Sequence, residues 1–143
     1  MAPAELERQP EVITPIQKLF IANRGEIAVR AARACQERGI AAVIPYSLED
    51  SSALITDIAD QNGWELAPIG GTTAEESYAN PDKILDEAKL RECDAIFFGY
   101  GFLSESADFI RRCEEAGMRV LAPPSPVMEL AGNKIKARET AKK

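Results

Sequence analysis

The sequence predicts an α/β domain, an open and mostly parallel sheet flanked by helices. Three observations lead there. Short apolar runs of strand length alternate with longer stretches of helix formers through the chain after residue 15. The segment from Leu19 to Ile44 reads as strand, tight loop, helix and strand, a unit whose parallel strands need a right-handed crossover. Finally, 143 residues with 45% hydrophobic content suffice for one domain with a sizeable core.

Met1 to Pro15 holds three prolines and little periodicity, so it reads as a flexible N-terminal arm. Leu19 to Ala22 is long enough for a buried strand. Asn23 offers a side-chain oxygen as N-cap, with Glu26 at the capping-box spacing and Gly25 free to turn sharply. Helix formers then run from Arg24 to Arg38, and Gly39 supplies the stop. Ile27, Ala31, Ala34 and Arg38, with Ala28 and Cys35 beside them, form the face expected against the sheet. Arg30, Arg33 and Glu37 make a charged stripe on another face. A solvated face is the plain reading of that stripe; a subunit contact with bidentate arginine pairs is the alternative.

Ile40 to Ile44 is the second strand, and the cap-rich Ser47–Ser52 leads into a short helix, Ala53 to Asp60, expected to bury Leu54, Ile55 and Ile58. After the Asn62-Gly63 turn, Trp64 to Ile69 is strand-like. Thr73 and Glu76 again have capping-box spacing. Pro81 to Arg91 is a helix with proline at its start and basic residues near its end. Asp94 to Phe98 is a strand. Ser104 is expected to cap a helix that reaches Ala116 and buries Phe109, Ile110 and Cys113. Arg119 to Ala122 is a last strand, followed by prolines, a short segment from Val127 to Ala131, and a helix from Gly132 to Lys143. The expected division is thus an arm (1–15), an α/β domain (16–131) and the start of an outgoing helix (132–143).

Charge and composition exclude several functions. A net charge of −6 with no basic patch argues against nucleic acid. No apolar stretch approaches the roughly 20 residues that cross a bilayer. Neither a secretory signal nor a transit peptide is recognisable, since Glu5, Glu7 and Glu11 crowd the start, and a cytoplasmic location is expected. The chain has no histidine, so Ser-His and Cys-His dyads are out. Cys35, Cys93 and Cys113 lack metal-ligand spacing and read as buried free thiols. The acidic cluster Glu49, Asp50, Asp57 and Asp60 does not match a calcium loop and reads as a solvated helix face.

Ligands of open α/β sheets gather at the carboxyl edge. Two loops qualify there, Asn23-Arg24-Gly25 and Gly99-Tyr100-Gly101-Phe102. Neither is a dinucleotide fingerprint, because the first has one glycine and the second has Ser104 in place of the third. Tyr100, between glycines, is expected to stand out at the edge with its hydroxyl free to donate; loop packing is the plain alternative. Glu105 would sit in a first helical turn, where the macrodipole favours a carboxylate.

Three blocks carry a resemblance: the run from Ile21 to Cys35 (IANRGEIAVRAARAC), the run from Gly99 to Phe109 (GYGFLSESADF), and Pro123-Pro-Ser-Pro126 followed by Gly132-Asn-Lys134. Together they resemble the biotin carboxylase family, the ATP-dependent component of biotin-dependent carboxylases such as acyl-CoA and pyruvate carboxylases. The resemblance implies a flavodoxin-like domain preceding an ATP-grasp domain. It implies that Tyr100 and Gly101 lie against the ureido ring of biotin on a carrier protein. It also offers Glu105 a role orienting a basic group of the later domain. ATP and magnesium would be held by the remaining domains, so this piece alone is expected to be inactive. Those domains, the biotin carboxyl carrier protein, a carboxyltransferase and a second copy in a homodimer are the implied partners. The sequence departs from the family at Phe97-Phe98, where His-Pro is usual, at Asn133, where aspartate is usual, and in a longer Gln61–Ala67. A non-catalytic dimerisation module of the same fold, or the corresponding domain of another ATP-grasp ligase, stands as the alternative.

Overall fold

The structure, a computed structural model, describes residues 14–141. The expected flexible arm lies outside the described residues apart from Thr14 and Pro15, which have no regular structure. The elements in order are β1 (Lys18–Ile21), α1 (Gly25–Arg38), β2 (Ala41–Tyr46), α2 (Leu54–Asn62), β3 (Glu65–Pro68), α3 (Pro81–Leu90), β4 (Ala95–Phe97), α4 (Ala107–Glu115), β5 (Arg119–Val120) and α5 (Ser125–Ala141). The strands form one sheet in the order β3-β2-β1-β4-β5, and every pairing is parallel. This is the open α/β sheet that the alternation of elements predicts.

Two apolar clusters, one on each face, account for the fold. Because side chains alternate along a strand, Leu19 and Ile21 of β1 join Ala42, Ile44 and Ala95 on one face. Phe20 and Ala22 join Val43, Ile96 and Phe98 on the other. Helices α1 and α2 cover the first face through Ala28, Ala32, Cys35, Ile55, Ile58 and Ala59. Helices α3 and α4 cover the second through Ile84, Leu85, Ala88, Phe109, Ile110 and Cys113. Central strands buried on both sides read as continuous apolar runs, as β1 does.

Several local expectations need correction. The buried row of α1 is Ala28, Ala32 and Cys35; Ala28 and Cys35 belong to the expected face, but of its main row Ile27 and Ala31 are only half-buried and Ala34 and Arg38 are exposed. Both rows have helical spacing and small side chains, and they differ by one residue of rotation, so periodicity alone could not separate them. Leu54 is exposed, because α2 begins there and turns Ile55, Thr56, Ile58 and Ala59 inward. Gly132 does not begin a separate helix: α5 is continuous from Ser125. Its start is tied to α4, where the Glu114 carboxylate accepts from the Ser125 N–H and hydroxyl at 3.1 and 2.8 Å.

The cysteines are all free and buried. Burial pushes the Cys93 thiol up to about 12, the Cys113 thiol up to about 11, and the Cys35 thiol upward as well. Without thiolate character they are packing groups and not nucleophiles.

Candidate functional site

Strands β1 and β4 are neighbours, but the chain leaves them toward opposite faces, into α1 from one and α4 from the other. A crevice opens at such a switch point, beyond the carboxyl ends of the strands. Asn23 lies at its base, fully buried. Its amide Nδ2 donates to the Phe98 carbonyl at 2.7 Å and to the Tyr100 carbonyl at 2.8 Å. The Asn23 oxygen accepts from the Arg24 N–H at 2.8 Å. Asn23 is therefore not the helix cap that its position before an alanine-rich run suggests. Arg24 occupies the N-cap position without a side-chain cap. A tight loop leaves carbonyls pointing inward, and a buried amide with two N–H groups satisfies both.

The loop above Asn23 is strained in a defined way. Gly99 has φ of 67°, and a Cβ there would come within 2.5 Å of the Ile27 Cγ2 methyl. Gly101 has φ of 75° with open space around it. Phe102 adopts φ of 48°, unusual for a side chain of its size. The Ser104 N–H donates to the Gly101 carbonyl at 3.0 Å and closes a turn. Ser104 is thereby withdrawn from the capping role expected of it, and Ser106 caps α4 by accepting from the Phe109 N–H at 3.3 Å. Glu105 precedes this cap and is exposed, so the first-turn acid of α4 is Asp108. Tyr100 stands out at the rim, 73% exposed.

A polar network missed in the sequence adjoins the loop. Arg24 meets Asp50 through a bidentate fork, Nε to Oδ2 at 2.7 Å and Nη2 to Oδ1 at 2.6 Å. The Tyr78 hydroxyl donates to Asp50 Oδ2 at 2.7 Å and accepts from the Ser47 N–H at 3.1 Å. Asp50 is buried and does not belong to a solvated acidic face. The Arg24 guanidinium holds its carboxyl below the usual range, and Asp50 in turn holds Arg24 firmly protonated. Burial, with Asp50 alongside, pushes the Tyr78 phenol up to about 12, so it stays a neutral donor. Tyr78 is placed by the turn before it, where the Glu76 carboxylate accepts from the Thr72 N–H at 2.8 Å; in addition, Glu76 Oε2 accepts from the Thr73 N–H at 3.4 Å and Thr73 Oγ1 accepts from the Glu76 N–H at 3.3 Å. That is the reciprocal pair the sequence spacing predicts. The Tyr78 ring lies 5.5 Å from that of Phe102.

On the α1 face, no described helix covers β4 and β5, and a groove of about 750 Å³ runs there. Its lining includes Ile27, Arg30, Ala34, Phe97, Gly99, Tyr100 and Leu121. Arg30 and Tyr100 thus border one depression, a juxtaposition that their sequence separation hides. Arg33 and Glu37 are exposed on α1 outside the groove lining, and Gly101 and Glu105 also lie outside it. Among the described residues none of Arg30, Arg33 and Glu37 forms an ion pair. Phe97 floors the groove, while Phe98 is buried edge-on against Phe109 at 5.4 Å. This Phe-Phe pair therefore serves both faces of the sheet. Among the described residues no group of three or more acidic or thiol side chains could hold a metal, and no helix is long and apolar enough to cross a membrane.

A family profile described as biotin carboxylase, N-terminal domain, matches residues 15–128. The chain belongs to this family. It is 47% identical over 127 residues to biotin carboxylase 1 of Bacillus subtilis, covering 89% of this chain and 27% of that protein. It is 42% identical over 130 residues to the mitochondrial pyruvate carboxylase of Homo sapiens, covering 89% and 10% respectively. A crystal structure of the Campylobacter jejuni biotin carboxylase in a β,γ-ATP complex superposes with a TM-score of 0.75 at 40% identity, covering 81% of this chain and 25% of that one. The relatives are carboxylase enzymes of which this domain is a part, and the chain spans about a quarter of the B. subtilis protein's length. Family membership sets aside the domain of an unrelated ATP-grasp ligase.

Two expectations follow from the rim. Replacing Gly99 by alanine adds a clash with Ile27 to backbone strain and should destabilise the chain by about 3 kcal/mol, against about 1 kcal/mol for Gly101→Ala. Urea unfolding of the two variants checks this order, and equal losses would contradict the clash. Asp50 has a folded pKa below its unfolded value of about 3.9, so its stabilisation is complete above that value and is lost as pH falls through the folded pKa. Asp50→Asn should be about 2 kcal/mol less stable at pH 7. The difference between wild type and variant should shrink as pH drops below about 4; a gap that stays constant down to acid unfolding would count against the ionic network.

Proposed function

We propose that this chain supplies the biotin side of the active site in an ATP- and bicarbonate-dependent biotin carboxylase. The reading is carried by one observation: in a member of this family, the Tyr100 hydroxyl stands exposed at the switch-point crevice on a loop fixed from beneath. As a ureido nitrogen of biotin gives up its proton to become nucleophilic, negative charge develops on the ureido oxygen. A positioned phenol O–H and the Gly101 backbone are suited to stabilise that charge. Glu105, exposed beside this loop, is assigned the orientation of a basic group from the later domain. ATP and magnesium are assigned to that later domain; the C. jejuni relative was solved as an ATP complex.

Residues 16–131 form the working domain in this reading, and 132–143 lead toward the ATP-grasp part. The remaining carboxylase domains, the carrier protein with its biotin and a carboxyltransferase are its partners. A cytoplasmic setting is part of this reading. The Arg30, Arg33 and Glu37 face of α1 is assigned to a homodimer contact, supported by its exposed charges, which lack ion-pair partners among the described residues.

In the complete enzyme, Tyr100→Phe should lower kcat for free biotin by about 100-fold while leaving the KM for ATP unchanged. A kcat within twofold of wild type would remove Tyr100 from the chemistry. Arg33→Glu places like charge against its partner and should convert a dimer to a monomer, read as a halved mass by light scattering. An unchanged mass would make the stripe a solvated face.

A further inference from the structure

An exposed aromatic ring receives little direction from packing, so the direction of Tyr100 is set by its backbone. That backbone is held at two places. On one side of Tyr100, the Asn23 amide binds the carbonyls of Phe98 and of Tyr100 itself, at 2.7 and 2.8 Å. On the other, Phe102 lies against the Tyr78 ring, and the Tyr78 hydroxyl is fixed by Asp50 and Ser47. Asp50 is in turn fixed by the Arg24 fork. Gly101, which nothing crowds, lies between the two holding points.

We propose that the adjacent residues Asn23 and Arg24 are positioning residues for Tyr100, one clamping the rim loop from beneath and the other through Asp50, Tyr78 and Phe102. The proposal rests on the reading that Tyr100 meets biotin. One dipeptide at the end of the central strand thereby ties together three loops: 98–103, 47–52 and 72–78. Its two side chains diverge, since Asn23 reaches the β4 side and Arg24 the β2 side. Tyr78 matters here as a ring with an anchor, and Asp50 as the link that carries the arginine's charge to it. None of these groups needs to touch the ligand.

The test is backbone 15N relaxation by NMR on the full chain, comparing order parameters at the rim (Gly99 to Phe102) with that of the central strand residue Phe20. Asn23→Asp keeps the shape and removes both donors to the Phe98 and Tyr100 carbonyls. The order parameter at Tyr100 should fall from the rigid range of about 0.85 toward about 0.6, while that of Phe20 stays in the rigid range. Tyr78→Phe, which keeps the ring but loses its anchor, should lower the order parameters of Gly101 and Phe102 and leave Gly99 near wild type. An equal fall at Phe20 and at the rim would reduce Asn23 to a global stabiliser and overturn the clamp. An unchanged order parameter at Phe102 in Tyr78→Phe would overturn the arm that runs through Arg24. Tyr100→Phe removes neither holding point, so its effect on carboxylation judges the biotin reading separately from the clamp.

Discussion

Burial of β1 on both faces is the constraint from which the rest of the molecule follows. Phe20 and Ile21 are completely buried in opposite clusters. A strand so covered can sit only in the middle of a parallel sheet, with helices above and below. β1 and its neighbour β4 send their outgoing connections to different sides. The gap left where those connections part is a consequence of packing, and it lies beside the first residues after β1. Asn23 and Arg24 are those residues, and their side chains fill the gap with hydrogen bonds in place of apolar contact.

Polar groups in that position are strongly constrained. A buried amide that lost its two carbonyl partners would leave three groups without hydrogen bonds in a region closed to water. The Arg24–Asp50 pair is only partly desolvated, with the guanidinium side chain 49% exposed and the carboxylate side chain 8% exposed. The carboxylate therefore draws most of its support from Arg24 and Tyr78 and little from water. This arrangement favours a single loop geometry, because sliding either loop would break charge-assisted bonds. Gly99 adds a steric stop, with Ile27 occupying the space a side chain would need. Rigidity at the rim is thus built from hydrogen bonds below, an aromatic contact at the side and a glycine that admits no substitute.

Strand and helix positions were legible in the sequence because apolar period and length report directly on burial. The carboxyl-edge loops were legible too, since glycines on both sides of Tyr100, directly after a strand, suit a tight turn and disfavour continued strand or helix. The helix face of α1 was not: rows beginning at Ile27 and at Ala28 satisfy the same spacing, and only the position of the neighbouring strands decides between them. Asn23 looked like a cap because local sequence shows the amide groups ahead of it and not the carbonyls 75 and 77 residues away. Asp50 looked solvated for the same reason, its partners being 26 and 28 residues distant. Ser104 and Ser106 are both competent caps, and the turn closed at Gly101 selects the second. Long-range polar pairing leaves no periodic trace, so it was the part that sequence reading missed.

The functional account joins these parts: a family whose relatives are carboxylases, a crevice fixed by sheet topology, and a phenol presented there on a braced loop. Arg30 of the charged stripe and Tyr100 line the same groove on the α1 face. The most direct measurement is a crystal structure of the complete enzyme with free biotin and bicarbonate. The account predicts the ureido oxygen within hydrogen-bond reach of the Tyr100 hydroxyl or the Gly101 N–H. A ureido ring bound elsewhere, with the 99–102 loop untouched, would contradict it.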